Sequence, residues 1–175
     1  CEIEPKACNI VGELYRNGQG VAKDGNKAAE FHGKACDKGI ILSCAVEAQM
    51  RYHGQEGATI NKPRARIAFE KSCSPEFLDS CVNVGVMYAT ADGGPEDKAK
   101  ARTFYQKACD GGEGTACINV AAMLLNGEGG PADKPRARAL FTDLCTKKNA
   151  LGCFNLGLIF AKGLDGPQDL PQALT

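Results

Sequence analysis

The sequence lacks tryptophan, has only two histidines, and shows no excess of charge of either sign. Because 21 Lys and Arg residues balance 21 Asp and Glu residues, it lacks the basic surplus that nucleic acid or an anionic membrane surface attracts. The longest apolar stretch, residues 117–125, is far shorter than the roughly 20 residues needed to cross a bilayer. We therefore expect no nucleic-acid partner and no membrane insertion. No targeting segment is recognisable, and we expect the chain to be a trimmed part of a longer one.

Sequence motifs that carry catalysis or hold cofactors are also missing. There is no phosphate-binding loop, dinucleotide fingerprint, nucleophile elbow or zincin motif. His32 and His53 have neither a histidine nor a carboxylate four residues further on, and we expect His32 beside the core and His53 at a helix end. No two cysteines lie two to four residues apart, as zinc and iron–sulfur sites favour. We therefore expect no metal and no cofactor.

Ten cysteines are present, and their spacing is regular. From Cys8 onward the gaps alternate between 28 or 29 residues and eight, so that the period is 36 or 37 residues. A period of this length is typical of solenoids, in which each copy packs only on its neighbours. We predict one domain over residues 1–175, built of about 4.5 repeats. The repeats are 8–43, 44–80, 81–116, 117–152 and 153–175.

The apolar pattern of each repeat predicts two amphipathic helices of about 11 residues, such as 8–17 and 26–36. Small and apolar residues recur at helical spacing, as in Cys81, Val84, Gly85 and Tyr88. Glycine-rich turns, such as residues 18–20 and 127–131, separate the helices and make them antiparallel. No segment alternates as a half-buried strand does. The predicted fold class is all-α, a right-handed α/α solenoid with its first helices on the concave side.

These repeats resemble a known family. The segments at residues 12–15, 18–21 and 27–29 are similar to the Sel-1-like repeat, a relative of the tetratricopeptide repeat. The added cysteines resemble those of the Helicobacter cysteine-rich proteins, in which Lys-Ala-Cys precedes a turn, a second Cys and an Asn-bearing helix. Here that pattern is Lys107-Ala108-Cys109 followed by Cys117-Ile118-Asn119. The resemblance covers essentially the whole chain and is specific for fold more than for function.

Two disulfide pairings fit an antiparallel helix stack: Cys8 with Cys36, or Cys36 with Cys44. Counting favours the second type, because the short pairing uses every cysteine, whereas the long pairing leaves Cys1 and Cys153 without a partner. The resemblance agrees. The pairs we predict are Cys1–Cys8, Cys36–Cys44, Cys73–Cys81, Cys109–Cys117 and Cys145–Cys153. Such staples indicate an oxidising compartment, either the bacterial periplasm or the extracellular space, or the mitochondrial intermembrane space in a eukaryote.

The fold predicts a non-enzymatic scaffold that binds a partner protein or peptide on the concave face. A structural or assembly subunit of a larger complex is a second interpretation. The resemblance to the cysteine-rich branch also implies penicillin binding and weak β-lactamase activity as an alternative. That alternative rests on resemblance alone, because no serine has a lysine three residues on, and every cysteine can pair. The serines are Ser43, Ser72, Ser74 and Ser80.

A candidate binding face follows from helix geometry. At 100° per residue, positions 1, 2, 5, 8 and 9 after the cysteine that opens each first helix lie opposite the core. Asparagine recurs at the second of these positions in three repeats, and a side-chain amide can donate to and accept from a peptide backbone. An alternative is that these amides bond neighbouring backbone groups. The predicted partner-binding residues are Asn83, Asn119, Asn155, Val86, Leu125, Phe154 and Leu158.

Overall fold

A computed structural model describes residues 4–173. Over that range the chain forms ten α-helices, one 3-10 helix and no strand, which confirms the all-helical prediction. The helices are longer than predicted, because α1 begins three residues before Cys8 and α2 runs one residue past Cys36. In chain order, the elements are α1 (Pro5–Asn17), α2 (Gly25–Asp37), α3 (Ile41–His53), a 3-10 turn (Gln55–Gly57), α4 (Lys62–Ser72), α5 (Leu78–Ala89), α6 (Lys98–Asp110), α7 (Gly114–Asn126), α8 (Lys134–Thr146), α9 (Ala150–Lys162) and α10 (Leu170–Ala173).

The helices group into two compact units, Cys1–Glu96 (unit 1) and Asp97–Thr175 (unit 2). In unit 1, helices α1 to α5 each pack against the next in chain order, and helices α6 to α10 do the same in unit 2. Packing between sequence neighbours is the arrangement that a repeat protein uses to build its core. The single domain over residues 1–175 stays a prediction.

Between residues 4 and 173, no helix is long and apolar enough to span a bilayer.

A side-chain cap starts the second helix of every complete repeat. An aspartate or asparagine lies twelve residues before the first cysteine of each pair, and its side chain accepts a hydrogen bond from a backbone N–H three residues on. Such a cap satisfies an amide that the helix itself leaves unpaired, and each is worth about 1 kcal/mol. The caps are Asp24, Asn61, Asp97 and Asp133.

In the first repeat, a small residue on α1 faces a large one on α2. The first repeat departs from the predicted pattern, because His32 is fully buried while Phe31 is half-buried and stacks on Tyr15. His32 occupies the position that Phe69 and Phe141 fill in later repeats. Our expectation that His32 lies beside the core is therefore wrong. The imidazole fits because Gly12 faces it, and a Cβ there would lie only 2.9 Å from the ring. His53 ends α3, as predicted.

An arginine on the second helix holds the turn of the next repeat. Arg66 donates a hydrogen bond to the carbonyl of Pro95, and Arg102 donates to that of Pro131, both at 3.0 Å. Glycine precedes each proline with φ of 155°, a backbone conformation that L side chains rarely adopt, and the guanidinium covers it. The Gly-Gly-Pro turns are therefore packing elements as well as helix ends.

Candidate protein-binding surface

Disulfides lie at the start of the first helices α3, α5, α7 and α9. Four of the predicted pairs are present, with Cα–Cα distances of 4.4–4.6 Å, and each joins the end of a second helix to the first turn of the next helix. They confirm the eight-residue pairing. The fifth predicted pair, Cys1–Cys8, includes a residue outside the described range. Since disulfides persist only where thiols are not kept reduced, the pairs indicate an oxidising compartment.

The predicted binding residues lie on three first helices. Asn83 and Val86 are on α5 in unit 1, and the other five are on α7 and α9 in unit 2. All are half-buried except Phe154, which is 63% exposed. The amide of Asn155 donates to the Leu151 carbonyl at 2.8 Å, which leaves its oxygen as an acceptor. That all these residues contact one partner stays a prediction.

The same set of surface positions on the first helix can be compared in every repeat. We define the first-helix face as the positions two before and one, two and five after the second cysteine of a pair. These positions follow the i, i+3, i+4, i+7 spacing of one helix face. On α9 the face carries a mostly apolar stripe, in which Leu151 is 60% and Phe154 63% exposed, although both are large and apolar. The stripe is Leu151, Phe154, Asn155 and Leu158.

In unit 1 the same face lines a groove. All four positions on α3 contribute to it, together with Arg16 of α1 and the segment that leads into α5. The groove has a volume of about 580 Å³. Arg16 and Gln49 are among the positions that helix geometry places opposite the core. The lining residues are Arg16, Leu42, Ala45, Val46, Gln49, Gln55, Pro75, Glu76, Phe77, Leu78, Asp79 and Ser80.

An ion pair between the buried Glu47 and the half-buried Arg64 joins helices of unit 1. Glu47 of α3 is 1% exposed and accepts two hydrogen bonds from Arg64 of α4, at 2.7 and 2.9 Å. Arg64 also donates to Asp37 of α2 at 3.0 Å, and Lys71 donates to the same carboxylate at 2.6 Å. The hydrogen bonds with Glu47 raise the pKa of Arg64, so its guanidinium stays charged at neutral pH. The network therefore links α2, α3 and α4.

A buried histidine in unit 1 lies beside a carboxylate. Both ring nitrogens of His32 lack a hydrogen-bond partner within residues 4–173, and its Nε2 lies 3.5 Å from a carboxylate oxygen of Glu13. Burial lowers the pKa of His32 below 6.5, although Glu13 opposes the shift. Because protonation is then harder in the folded chain than in the unfolded chain, folding favours the neutral ring.

We expect stability to fall as the pH drops from about 7.5 to 5.5, since the unfolded chain takes up a proton first as the pH passes its value near 6.5. His32→Phe should remove this dependence and stabilise the chain by about 1 kcal/mol, because it eliminates two unpartnered buried nitrogens. Urea unfolding at both pH values measures the effect. His53→Gln is the control and should keep the dependence. A variant at position 32 with unchanged pH dependence would show that other groups cause it.

The described residues offer little catalytic or metal-binding chemistry. Ser43, Ser72 and Ser80 are buried, and the Ser43 hydroxyl donates to the Asn9 side chain at 2.7 Å. Over residues 4–173, no three His, Cys, Asp or Glu residues come together as a metal site would need. No observation on these residues therefore favours the β-lactamase alternative.

Sequence reasoning missed much of the unit 1 groove. Leu42 and Leu151 lie at the same position of their repeats, two residues before the second cysteine of a pair. This shared position could have identified Leu42 from the sequence. Pro75 could have indicated an altered connection, because it lies two residues after Cys73, where the other repeats carry no proline. Nothing in the periodicity indicated that Glu76 and Phe77 line the same groove.

Comparison with known proteins gives consistent matches. The family model of the Sel1 repeat matches residues 5–40, 78–113, 114–143 and 150–175, and leaves residues 41–77 unmatched. The cytochrome c oxidase assembly factor 7 homolog of Drosophila melanogaster is 28% identical over 89 residues, which cover 49% of this chain. The match spans 32% of that protein.

Solved structures agree on the fold. The protective antigen c5321 of uropathogenic Escherichia coli is 25% identical, with a TM-score of 0.77 over 98% of this chain and 36% of its own. A Sel1 repeat protein from Oxalobacter formigenes is 23% identical, with a TM-score of 0.72 over 98% of this chain and 68% of its own. The Helicobacter pylori cysteine rich protein B is 22% identical, with a TM-score of 0.53 over 75% of this chain and 93% of its own. These likenesses confirm the α/α solenoid class, and one of them is to a Helicobacter cysteine-rich protein.

Proposed function

We propose, on the premise that the chain belongs to the Sel1 repeat family, that it is a non-enzymatic scaffold that binds a partner protein along its first-helix face. Sel1 repeat proteins generally mediate protein–protein interactions. The observation that carries the proposal is the stripe on α9, where Leu151 and Phe154 are more than half exposed on the same face as Asn155. Exposed apolar side chains that lie together commonly mark interaction surfaces.

The asparagines supply the polar part of the proposed surface. Among the described residues, the side chains of Asn83 and Asn119 have no hydrogen-bond partner, and Asn155 keeps its oxygen available. Each is flanked by apolar residues on its own helix, so a peptide backbone would meet amide and apolar contacts together. Val86, Leu125 and Leu158 are half-buried and would add area to these contacts.

The triple variant Asn83→Ala, Asn119→Ala and Asn155→Ala tests the proposal. The partner is captured through a photo-reactive phenylalanine analogue at position 154, and its affinity is then measured with the purified pair. We expect the triple variant to bind at least about tenfold more weakly, because each lost hydrogen bond contributes about 1 kcal/mol. The helix content should not change.

Thr103→Ala with Thr142→Ala is the matched control. Both threonines are exposed on second helices and donate to a carbonyl four residues earlier, as Asn155 does. The control should keep full affinity. Equal affinity of the triple variant, or its unfolding, would show that the asparagines are structural.

A role in assembling a larger complex is the second candidate. It is supported by the likeness of 89 residues to a protein named as a cytochrome c oxidase assembly factor homolog. Under this proposal the captured partner is a subunit of a larger complex. The compartment that we propose is the bacterial periplasm or the extracellular space, or the mitochondrial intermembrane space if the source is eukaryotic.

A further inference from the structure

The groove in unit 1 exists because one connection differs from the others. Helices α2, α6 and α8 run one residue past the cysteine, whereas α4 ends at Ser72, before it. Pro75 disfavours helical backbone in the residue before it, and Cys73 is already extended, with φ of −64° and ψ of 98°. The disulfide to Cys81 holds both ends of the resulting segment. Residues 75–77 therefore form a wall of the groove instead of a helix end.

Carboxylates without cationic partners lie along this wall. Glu76 and Asp79 are both exposed, and neither pairs with a Lys, Arg or His in the described part of the chain. Arg16, the one cation that lines the groove, shares its charge with Glu13 at 3.4 Å. The groove therefore has a surplus of negative charge, although the whole sequence is neutral.

Apolar and amide groups complete the lining. Leu42 is 51% exposed, and Phe77 and Leu78 are half-buried beside the carboxylates. The side-chain amides of Gln49 and Gln55 make no hydrogen bond to another described residue. An occupant would thus meet apolar surface, two amides that can pair with a backbone, and two carboxylates within one groove.

We propose that this groove binds an extended segment of a partner protein that carries a lysine or arginine next to a large apolar side chain. The cation pairs with Glu76 and Asp79, the apolar side chain contacts Leu42 and Phe77, and the glutamine amides bond the backbone. Charge complementarity selects this occupant over an acidic segment. The inference rests on the proposed role in protein binding, but it uses none of the residues on α7 or α9.

Four pools of fluorescent nonapeptides test the groove. Their central residue is lysine, arginine, glutamate or serine, and the flanking positions are randomised among Leu, Phe, Ile, Gly and Ser. Fluorescence anisotropy with the full chain should show the lysine and arginine pools binding at least about tenfold more tightly than the glutamate pool. Amide NMR shifts should concentrate in residues 42–55 and 75–80. Equal affinity for the glutamate pool, or shifts elsewhere, would overturn the inference.

The double variant Glu76→Gln and Asp79→Asn identifies the carboxylates. It should weaken binding of the lysine pool about fivefold, since each exposed pair contributes modestly. Glu30→Gln with Asp143→Asn changes the net charge equally at exposed sites on α2 and α8, and should have no effect. If both double variants bind equally well, the carboxylates play no part. Capture of the partner at position 154 is measured in the same variants, so that failure of the groove is distinguished from failure of the proposed function.

Discussion

Arg64→Ala should lower the free energy of unfolding by about 3 kcal/mol, because it removes both hydrogen bonds that Arg64 donates to the buried Glu47 carboxylate. Arg51 cannot replace the lost partner well, since its Nε lies 3.7 Å from Glu47, beyond hydrogen-bond distance. The lost contact of Arg64 with Asp37 contributes less, because that carboxylate is exposed. Denaturation in urea, followed by circular dichroism, measures the change.

Two variants make this result specific to the pair of Glu47 and Arg64. Arg136 has the same position on α8 but donates to the neutral Gln106 side chain in an exposed site, so Arg136→Ala should cost well under about 1 kcal/mol. Val84 and Val120 fill the position of Glu47 in later repeats. Glu47→Val added to Arg64→Ala should therefore recover most of the lost stability. Equal losses in Arg64→Ala and Arg136→Ala would show that burial of Glu47 does not matter.

Reduction of the disulfides should lower the melting temperature by more than about 10 °C. Each described disulfide closes a loop of about nine residues, and the chain-entropy model assigns roughly 2.5 kcal/mol to such a closure. Four of them represent about 10 kcal/mol, and about 1 kcal/mol moves the melting temperature of a chain this size by roughly 2–4 °C. The folded state also loses the restraint that joins consecutive repeats.

Calorimetry before and after reduction, with the thiols alkylated, measures this shift. Thiol titration of the unreduced protein is the control and should detect none, because all ten cysteines are predicted to pair. An unchanged melting temperature after confirmed reduction would show that helix packing alone stabilises the repeats. Detection of most of the ten thiols before reduction would contradict the paired state itself.

The repeat architecture could be predicted because each copy repeats the same constraints. Cysteine spacing, the count of paired cysteines and the family resemblance together identified the four described pairs, and glycine-rich turns marked the helix ends. The cap residues at 24, 61, 97 and 133 recur with the same period, so the sequence also contained that signal. The disulfides, turns and caps could be predicted because every copy shares them, and periodicity reports only what the copies share.

The features that differ between copies could not be predicted in this way. Glu47 lies at a helix position that faces the core in later repeats, but its burial depends on Arg64, which lies 17 residues later on another helix. His32 enters the core because Gly12 leaves room on a neighbouring helix. The groove in unit 1 depends on how Pro75 redirects a short connection. Each of these is a contact between side chains that no single-helix pattern encodes.

Photo-crosslinking from matched positions on the two helix sets tests the central claim most directly. The reactive residue replaces Leu42, Asp79, Thr115 or Leu151 on the first-helix face, or Ile67, Thr103 or Ala139 on the second helices. All seven positions are exposed, so that access alone does not distinguish them. We predict that the partner crosslinks from the first set and not from the second. Crosslinking only from the second set would contradict binding by the first-helix face.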